Sequence, residues 1–327
     1  MAAGLKNRLW VALGVAACGA SLAHAADPVK NYPLRPLRLV SAFAAGGNSD
    51  TVGRLLAPKL AERLGQNVIV ENRPGAGSMI GTAYVANATP DGHTILVMSG
   101  AFTSQAAVMK TLPFEPLRDF DWISLVVVYP FVVVVNTGSP IHTVSDLVVA
   151  AKRNPKKLNY GSVGIGSVFH LAAELFNSMA GTDILHVPYR GSTEPTTELI
   201  AARLDVIFNT LTGAHPHIQA KRLRAIAVAS LERSPQLPNV PTVGETLPGY
   251  EVTSFVALAA PRGTPRAVIA RLNREVRAVL DQPDIRQRFI NMGGTAQPST
   301  PGEMGRHLEA EIAKWKRIVA EKKIELQ

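Results

Sequence analysis

Two segments about 120 residues apart share one local design, and no other feature of the chain constrains the fold as strongly. Residues 37–60 and 158–176 each read as a short apolar strand, then a loop of small residues, then a helix rich in small or hydroxyl side chains at its first turn. A strand that feeds a helix through such a loop is the repeating unit of a parallel α/β sheet. It also leaves backbone N–H groups unpaired at a helix start, where the dipole favours an anion. Two such units in different halves of the molecule imply a small anion held between two lobes.

The alternation continues along the chain. β-branched, apolar runs predict strands at 37–41, 67–70, 94–99, 123–128, 131–136, 159–161, 205–208 and 225–229. Helical patterns follow at 51–64, 80–87, 144–154, 168–179, 193–202, 265–281, 283–292 and 301–322. The last helix opens with Thr300 and Glu303 at capping-box spacing around Pro301. The expected fold is α/β, with two doubly wound lobes and a ligand cleft between them. The nearly all-apolar stretch 126–136 reads as a buried strand pair that carries the chain from one lobe to the other, and 254–260 reads as its return. Lobe 1 is therefore expected to be discontinuous, 26–130 plus 256–327, with lobe 2 at 131–255.

Residues 1–25 have the pattern of a secretory signal peptide. Lys6 and Arg8 precede an apolar run from 9 to 22, and Ala23-His24-Ala25 offers a cleavage site. Export to the periplasm of a Gram-negative cell is the expected address. A competing lipoprotein box, Val15-Ala16-Ala17-Cys18, would instead leave Cys18 acylated. Cys18 is the only cysteine, so cleavage after Ala25 leaves no disulfide, thiol nucleophile or cysteine metal site. Removal of Lys6 and Arg8 lowers the net charge from +9 to +7. The remaining basic residues are scattered, with no stripe interleaved by aromatics, which argues against nucleic acid as a partner. No later stretch reaches the roughly 20 apolar residues of a membrane span.

A resemblance becomes specific in the ordered motifs. Tyr32-Pro33-Leu34-Arg35-Pro36, the loop Phe43 to Asp50, Glu71-Asn72-Arg73-Pro74-Gly75, Pro90-Asp91-Gly92, Asn159-Tyr160-Gly161-Ser162, His186-Val187-Pro188-Tyr189-Arg190-Gly191 and Val240-Pro241-Thr242 follow one another as they do in a known family. The chain resembles the periplasmic substrate-binding component of tripartite tricarboxylate transporters, the Bug-type receptors, over almost the whole mature length. That resemblance implies a type II periplasmic-binding-protein-like fold and a monomeric receptor for a small organic carboxylate, with membrane transporter subunits as partners and no cofactor.

The first ligand loop supplies Phe43, Ala45, Gly46, Gly47, Asn48 and Ser49 as candidates. The two glycines permit close backbone approach, and Asn48 and Ser49 add donors. Asp50 reads as the helix cap. Ala45 stands where the family usually has Pro. The second loop supplies Ser162, Gly164, Ser167 and His170, the last read either as a ligand donor or as a satisfied buried histidine. Ser99 and Thr103 either line the cleft or belong to an ordinary strand-to-helix turn. Tyr189 and Asn209 complete the set, with Arg190 either on a distal carboxylate or on the surface. Neither loop holds Lys or Arg, so an anion would be held by amides, helix ends and water. Asn209 replaces an acidic residue found in many relatives, which implies a ligand without an amino group.

His215-Pro216-His217 reads as a loop rather than a metal site, and Gly75-Ala76-Gly77 lacks the third glycine of a dinucleotide fingerprint. No nucleophile elbow or paired carboxylates stand out. A binding protein is therefore favoured over an exported enzyme or a sensor-coupled receptor using the same cleft.

Overall fold

In the computed structural model, residues 32–189 and 193–327 are described. The leader, Cys18 and Arg190 lie outside them. The first half builds β1 (Leu37–Ser41), α1 (Asn48–Leu64), β2 (Val68–Asn72), α2 (Met79–Ala86), β3 (Thr94–Ser99), α3 (Ala101–Val108) and the long β4 (Phe120–Asn136). Then come α4 (Val144–Arg153), β5 (Asn159–Ser162), α5 (Val168–Ala180), β6 (Leu185–Pro188), α6 (Glu194–Ile200), β7 (Val206–Thr210), α7 (Leu211–Gln219) and β8 (Leu223–Val228). The chain returns through β9 (Thr253–Pro261), α8 (Arg266–Leu280), α9 (Pro283–Asn291), β10 (Thr295–Ala296) and α10 (Pro301–Glu321).

In lobe 1, β2, β1 and β3 are parallel; β9 joins β3 antiparallel, and the first part of β4 pairs with β9 and β10. In lobe 2, β6, β5 and β7 are parallel, and the second part of β4 lies antiparallel between β7 and β8. One strand thus belongs to both sheets. The strand pair expected across 126–136 is instead this single strand, and Pro130 explains the difference. Proline brings no N–H to a ladder, and Pro130 stands opposite Thr253, where β9 begins, just before pairing to β7 starts at Phe131. A residue that usually stops a strand here sits at the change of partner, and the next amide, that of Phe131, donates to the Val252 carbonyl at 3.2 Å.

Period-two packing accounts for the long apolar run of β4. Phe131, Val133 and Val135 enter one buried cluster with α5, while Val132 and Val134 enter another on the opposite face of the sheet. Both faces are covered, so both sets of alternating residues are apolar. In lobe 1, Leu37 and Leu39 pack with Val52 and Leu56 of α1, and Val40 with Phe102 and Phe255 on the other side.

Helix α10 begins with the capping box anticipated at Thr300 and Glu303. Its first turns place Met304 and Leu308 in a lobe 1 cluster, and its later turns place Trp315, Ile318 and Val319 in the lobe 2 core. His215-Pro216-His217, expected as a loop, lies inside α7. Thr210 caps that helix, and the buried Leu211 and Ala214 hold its inner face despite Pro216.

Candidate functional site

The first loop connects β1 to α1. Gly46 takes the left-handed region at φ 82°, and the Gly47 amide closes a turn on the Ala44 carbonyl at 3.3 Å. Asp50 does not cap α1. Its carboxylate accepts from the Gly46 amide at 2.9 Å and from Arg54 Nε at 3.0 Å, because the cap position is Gly47, one turn earlier. Asn72 completes the clamp, donating to the Phe43 carbonyl and accepting from Arg54. Burial alone would push the Asp50 carboxyl up, but hydrogen bonds from Arg54, the Gly46 amide and Asn72 outweigh it and hold the group below the usual carboxylate range. No side chain caps the first turn of α1, so its donors are left for a ligand.

The second loop connects β5 to α5 and is held from within. Ser167 Oγ accepts from the His170 amide and donates to the Gly164 carbonyl at 2.7 Å. Ser162 Oγ lies 2.7 Å from His186 Nε2 and also bonds the backbone of Gly164. His170 Nδ1 accepts from the Gly166 amide at 3.2 Å, which places its ring proton on Nε2. Burial pushes both His170 and His186 down to about 4, so the pair is neutral.

The two loops face one cavity of about 970 Å³, at the upper end of the range for small-molecule sites. Of the candidates, Phe43, Gly46, Gly47, Asn48, Ser49, Ser99, Ser167 and Asn209 line it. Ala45, Thr103, Ser162, Gly164, His170 and Tyr189 do not. Ala45 is exposed and does not border the cavity. Thr103 is buried and its hydroxyl donates to the Gly100 carbonyl, the strand-to-helix turn reading. Ser162 and His170 are buried behind the loop they brace, Gly164 is turned into their hydrogen bonds, and Tyr189 packs on the lobe 2 cluster around Leu199 and Leu204. Asn209 is buried with Nδ2 donating to Thr196 Oγ1 at 3.1 Å and Oδ1 accepting the Thr210 amide.

Several lining residues carried no usable signal in the sequence. Phe131 and Phe169, an edge-to-face pair with centroids 5.2 Å apart, form part of the apolar wall with Met79 and Met109. Gln105 spans lobe 1, accepting from Ser78 and donating to the Gly77 carbonyl. His217, dismissed with its loop, also lines the cavity. Among the described residues the lining contains no Asp, Glu, Lys or Arg, and no group of three His, Cys, Asp or Glu is placed to hold a metal.

Two α/β lobes, a strand shared between them, and loop-to-helix turns from each lobe facing one cavity define a solute-binding receptor. The family model described as "Tripartite tricarboxylate transporter family receptor" matches residues 52–324, and the chain belongs to that family, one of receptors rather than enzymes. A protein encoded in the tcbD-tcbE intergenic region of Pseudomonas sp. strain P51 is 36% identical over 317 residues, covering 96% of this chain and 94% of the relative. BugT of Bordetella pertussis is 31% identical over 318 residues, with 96% and 97% covered. Among solved structures, an adipate-bound protein of R. palustris aligns with a TM-score of 0.80 at 33% identity, covering 90% of this chain and 99% of that one. Malate-bound MatC from Rhodopseudomonas palustris aligns at 0.75 and 32%, covering 88% and 100%.

Proposed function

We propose that this receptor works in the periplasm as a monomer, captures a small organic carboxylate between its lobes, and delivers it to a tripartite tricarboxylate-type transporter. The observation that carries the reading is the uncapped first turn of α1 facing, across one cavity, the loop that starts α5. A carboxylate suits that space because amide donors and a helix start stabilise an anion without a cation. The solved relatives with adipate and malate support a carboxylate as ligand. The basic, apolar, Ala-x-Ala pattern of residues 1–25 supports export.

The direct ligand contacts are the groups that line the cavity: the Gly46–Ser49 loop, Ser99, Ser167 and Asn209. Ser162, Gly164 and His170 act by holding the second loop in shape. The moving bodies are lobe 1, at 26–130 plus 256–327 apart from the later turns of α10, and lobe 2, at 131–255, on whose core Trp315, Ile318 and Val319 pack, with closure about Pro130 in β4 and the start of β9. The change of pairing partner at Phe131 supports that hinge. Mass spectrometry of ligand retained by protein purified from the periplasm tests the reading, followed by titration calorimetry with that ligand. Recovery of a carboxylate bound at one per chain is expected; chemical turnover of the bound molecule would overturn it.

A further inference from the structure

We infer that a groove beside α2 on lobe 1 is a docking surface for an acidic segment of a partner protein, one with aliphatic side chains among its carboxylates. The groove shares no lining residue with the ligand cavity, so the inference stands apart from what the cavity holds.

Three arginines reach the groove from three places in the sequence. Arg35 precedes β1, Arg38 lies in β1 opposite Thr94 of β3, and Arg73 follows β2. Parallel pairing of these three strands brings the side chains to one groove of about 650 Å³. Helix α2 adds Ile80 and Tyr84, four residues apart and so on one helix face.

The positive charge is held in place. Arg73 Nε donates to Glu71 at 2.6 Å, and its guanidinium lies 3.6 Å from the centre of the Tyr84 ring. Arg35 donates to Asp91 at 2.7 Å, and Arg38 donates to the Tyr84 hydroxyl at 3.5 Å. Two carboxylates thus meet two of the three guanidiniums, and the exposed Arg38 bonds to neither. Side chains ordered in advance reduce the entropy lost when an anion binds, and their charge steers its approach.

The apolar part of the surface decides what kind of anion fits. Ile80 is 56% exposed in the groove, and Leu34, next to Arg35 in sequence, is 73% exposed. A free inorganic anion would leave both in water. A chain segment with leucines among its carboxylates would cover them, and arginine and tyrosine are residue types that dominate binding energy at protein interfaces. The residue before Ile80, Met79, lines the ligand cavity, so a partner in the groove would rest on a helix that also borders the solute.

Fluorescence anisotropy of the purified protein with dye-labelled synthetic peptides tests the inference. The probes are acetyl-Glu-Leu-Glu-Glu-Leu-Glu-amide, a version with serine for leucine, and a version with lysine for glutamate. At low salt the first is expected to bind at least about tenfold tighter than the lysine peptide and ~3–10-fold tighter than the serine peptide, and to weaken as salt rises. Arg38→Glu should cost at least about tenfold and Arg38→Gln ~3-fold, both with the melting temperature of the wild type because the side chain is exposed. Arg153→Glu, the same charge change at the end of α4 in lobe 2, should cost less than about twofold. Ile80→Ser should erase the preference for leucine and keep the salt dependence. Equal losses in Arg38→Glu and Arg153→Glu would mean attraction to net charge alone and overturn the inference. Failure of the Glu/Leu peptide to bind also overturns it. Binding of phosphatidylglycerol vesicles that depends on Arg38, or a dimer in sedimentation that depends on Arg38, would give the groove to a membrane or a second copy and overturn it as well.

Discussion

His170 Nδ1 accepts the Gly166 amide at 3.2 Å while its ring lies 4.2 Å from that of His186, so one buried imidazole braces the second loop and is itself packed on another. Both rings must stay neutral for this arrangement, since protonated Nδ1 can no longer accept and two imidazolium ions would repel. Burial sets both near 4 in the folded protein, against 6.5 for a free histidine. Between those values the unfolded chain binds more protons. Stability is therefore full above about pH 6.5 and is lost as pH falls through about 4, on the order of 3 kcal/mol for His170 alone. Thermal unfolding of the wild type from pH 7 to 4 should show this loss, and His170→Gln, which keeps an acceptor, should flatten the curve. An equally steep curve in the variant would remove His170 as the cause.

Asp50 ties the first loop from beneath, joining the Gly46 amide to Arg54 and leaving the helix start open. Asp50→Ala should cost about 1–2 kcal/mol of stability, the value of a charge-assisted bond discounted because Arg54 is half exposed. Ligand affinity should fall more than stability would suggest, because the loop loses its shape. Its folded carboxyl is held low, so its contribution is present above about pH 4 and fades as pH falls further. Urea unfolding together with calorimetric affinity separates the two effects. Loss of stability with unchanged affinity would show that the loop does not need this clamp.

The order of strands and helices was legible because β-branched runs alternate with small-residue turns, and β1 and β3 fall where the pattern puts them. Pro130 misled because local chemistry says that proline ends a strand, while the partner change that tolerates it is a long-range fact. The same limit governs the site. Loop composition marks where polar groups gather but not where they point, and Ser162, Thr103 and His170 spend their hydrogen bonds on nearby backbone. Phe131 reads as a core residue from its alternation, and nothing local says that its cluster borders the cavity. His217 was hidden by the helix that Pro216 seemed to forbid.

Gly166 and Gly46 both take positive φ, yet replacement by alanine should not cost the same. A Cβ on Gly166 would meet Val108 Cγ2 at 2.7 Å, whereas one on Gly46 meets nothing within 4 Å. Gly46→Ala should cost about 1 kcal/mol from its backbone region alone. Gly166→Ala should cost ~2–4 kcal/mol, since Val108 sits in the lobe 2 cluster and must shift. Denaturant midpoints for the two variants give the comparison directly; equal losses would mean that Val108 yields freely.

Asn209→Asp changes one amide nitrogen to oxygen at a buried position and inserts a charge into a cavity whose described lining holds no Asp, Glu, Lys or Arg. The local hydrogen bonds survive the change. Oδ1 still accepts the Thr210 amide, and Thr196 Oγ1, which now accepts from Nδ2, can turn its proton toward the new carboxylate. The fold should therefore hold, with a loss under about 2 kcal/mol from burying the charge beside two donors. Carboxylate affinity should drop by at least about tenfold at pH 7.5, because two anions would share one poorly solvated space. Lowering the pH toward the raised carboxyl pKa of such a site should restore part of it. Calorimetry at pH 7.5 and 5.5 tests this, with the wild type as control for the histidine loop. Unchanged affinity at both pH values would mean that Asn209 borders the cavity without facing the ligand.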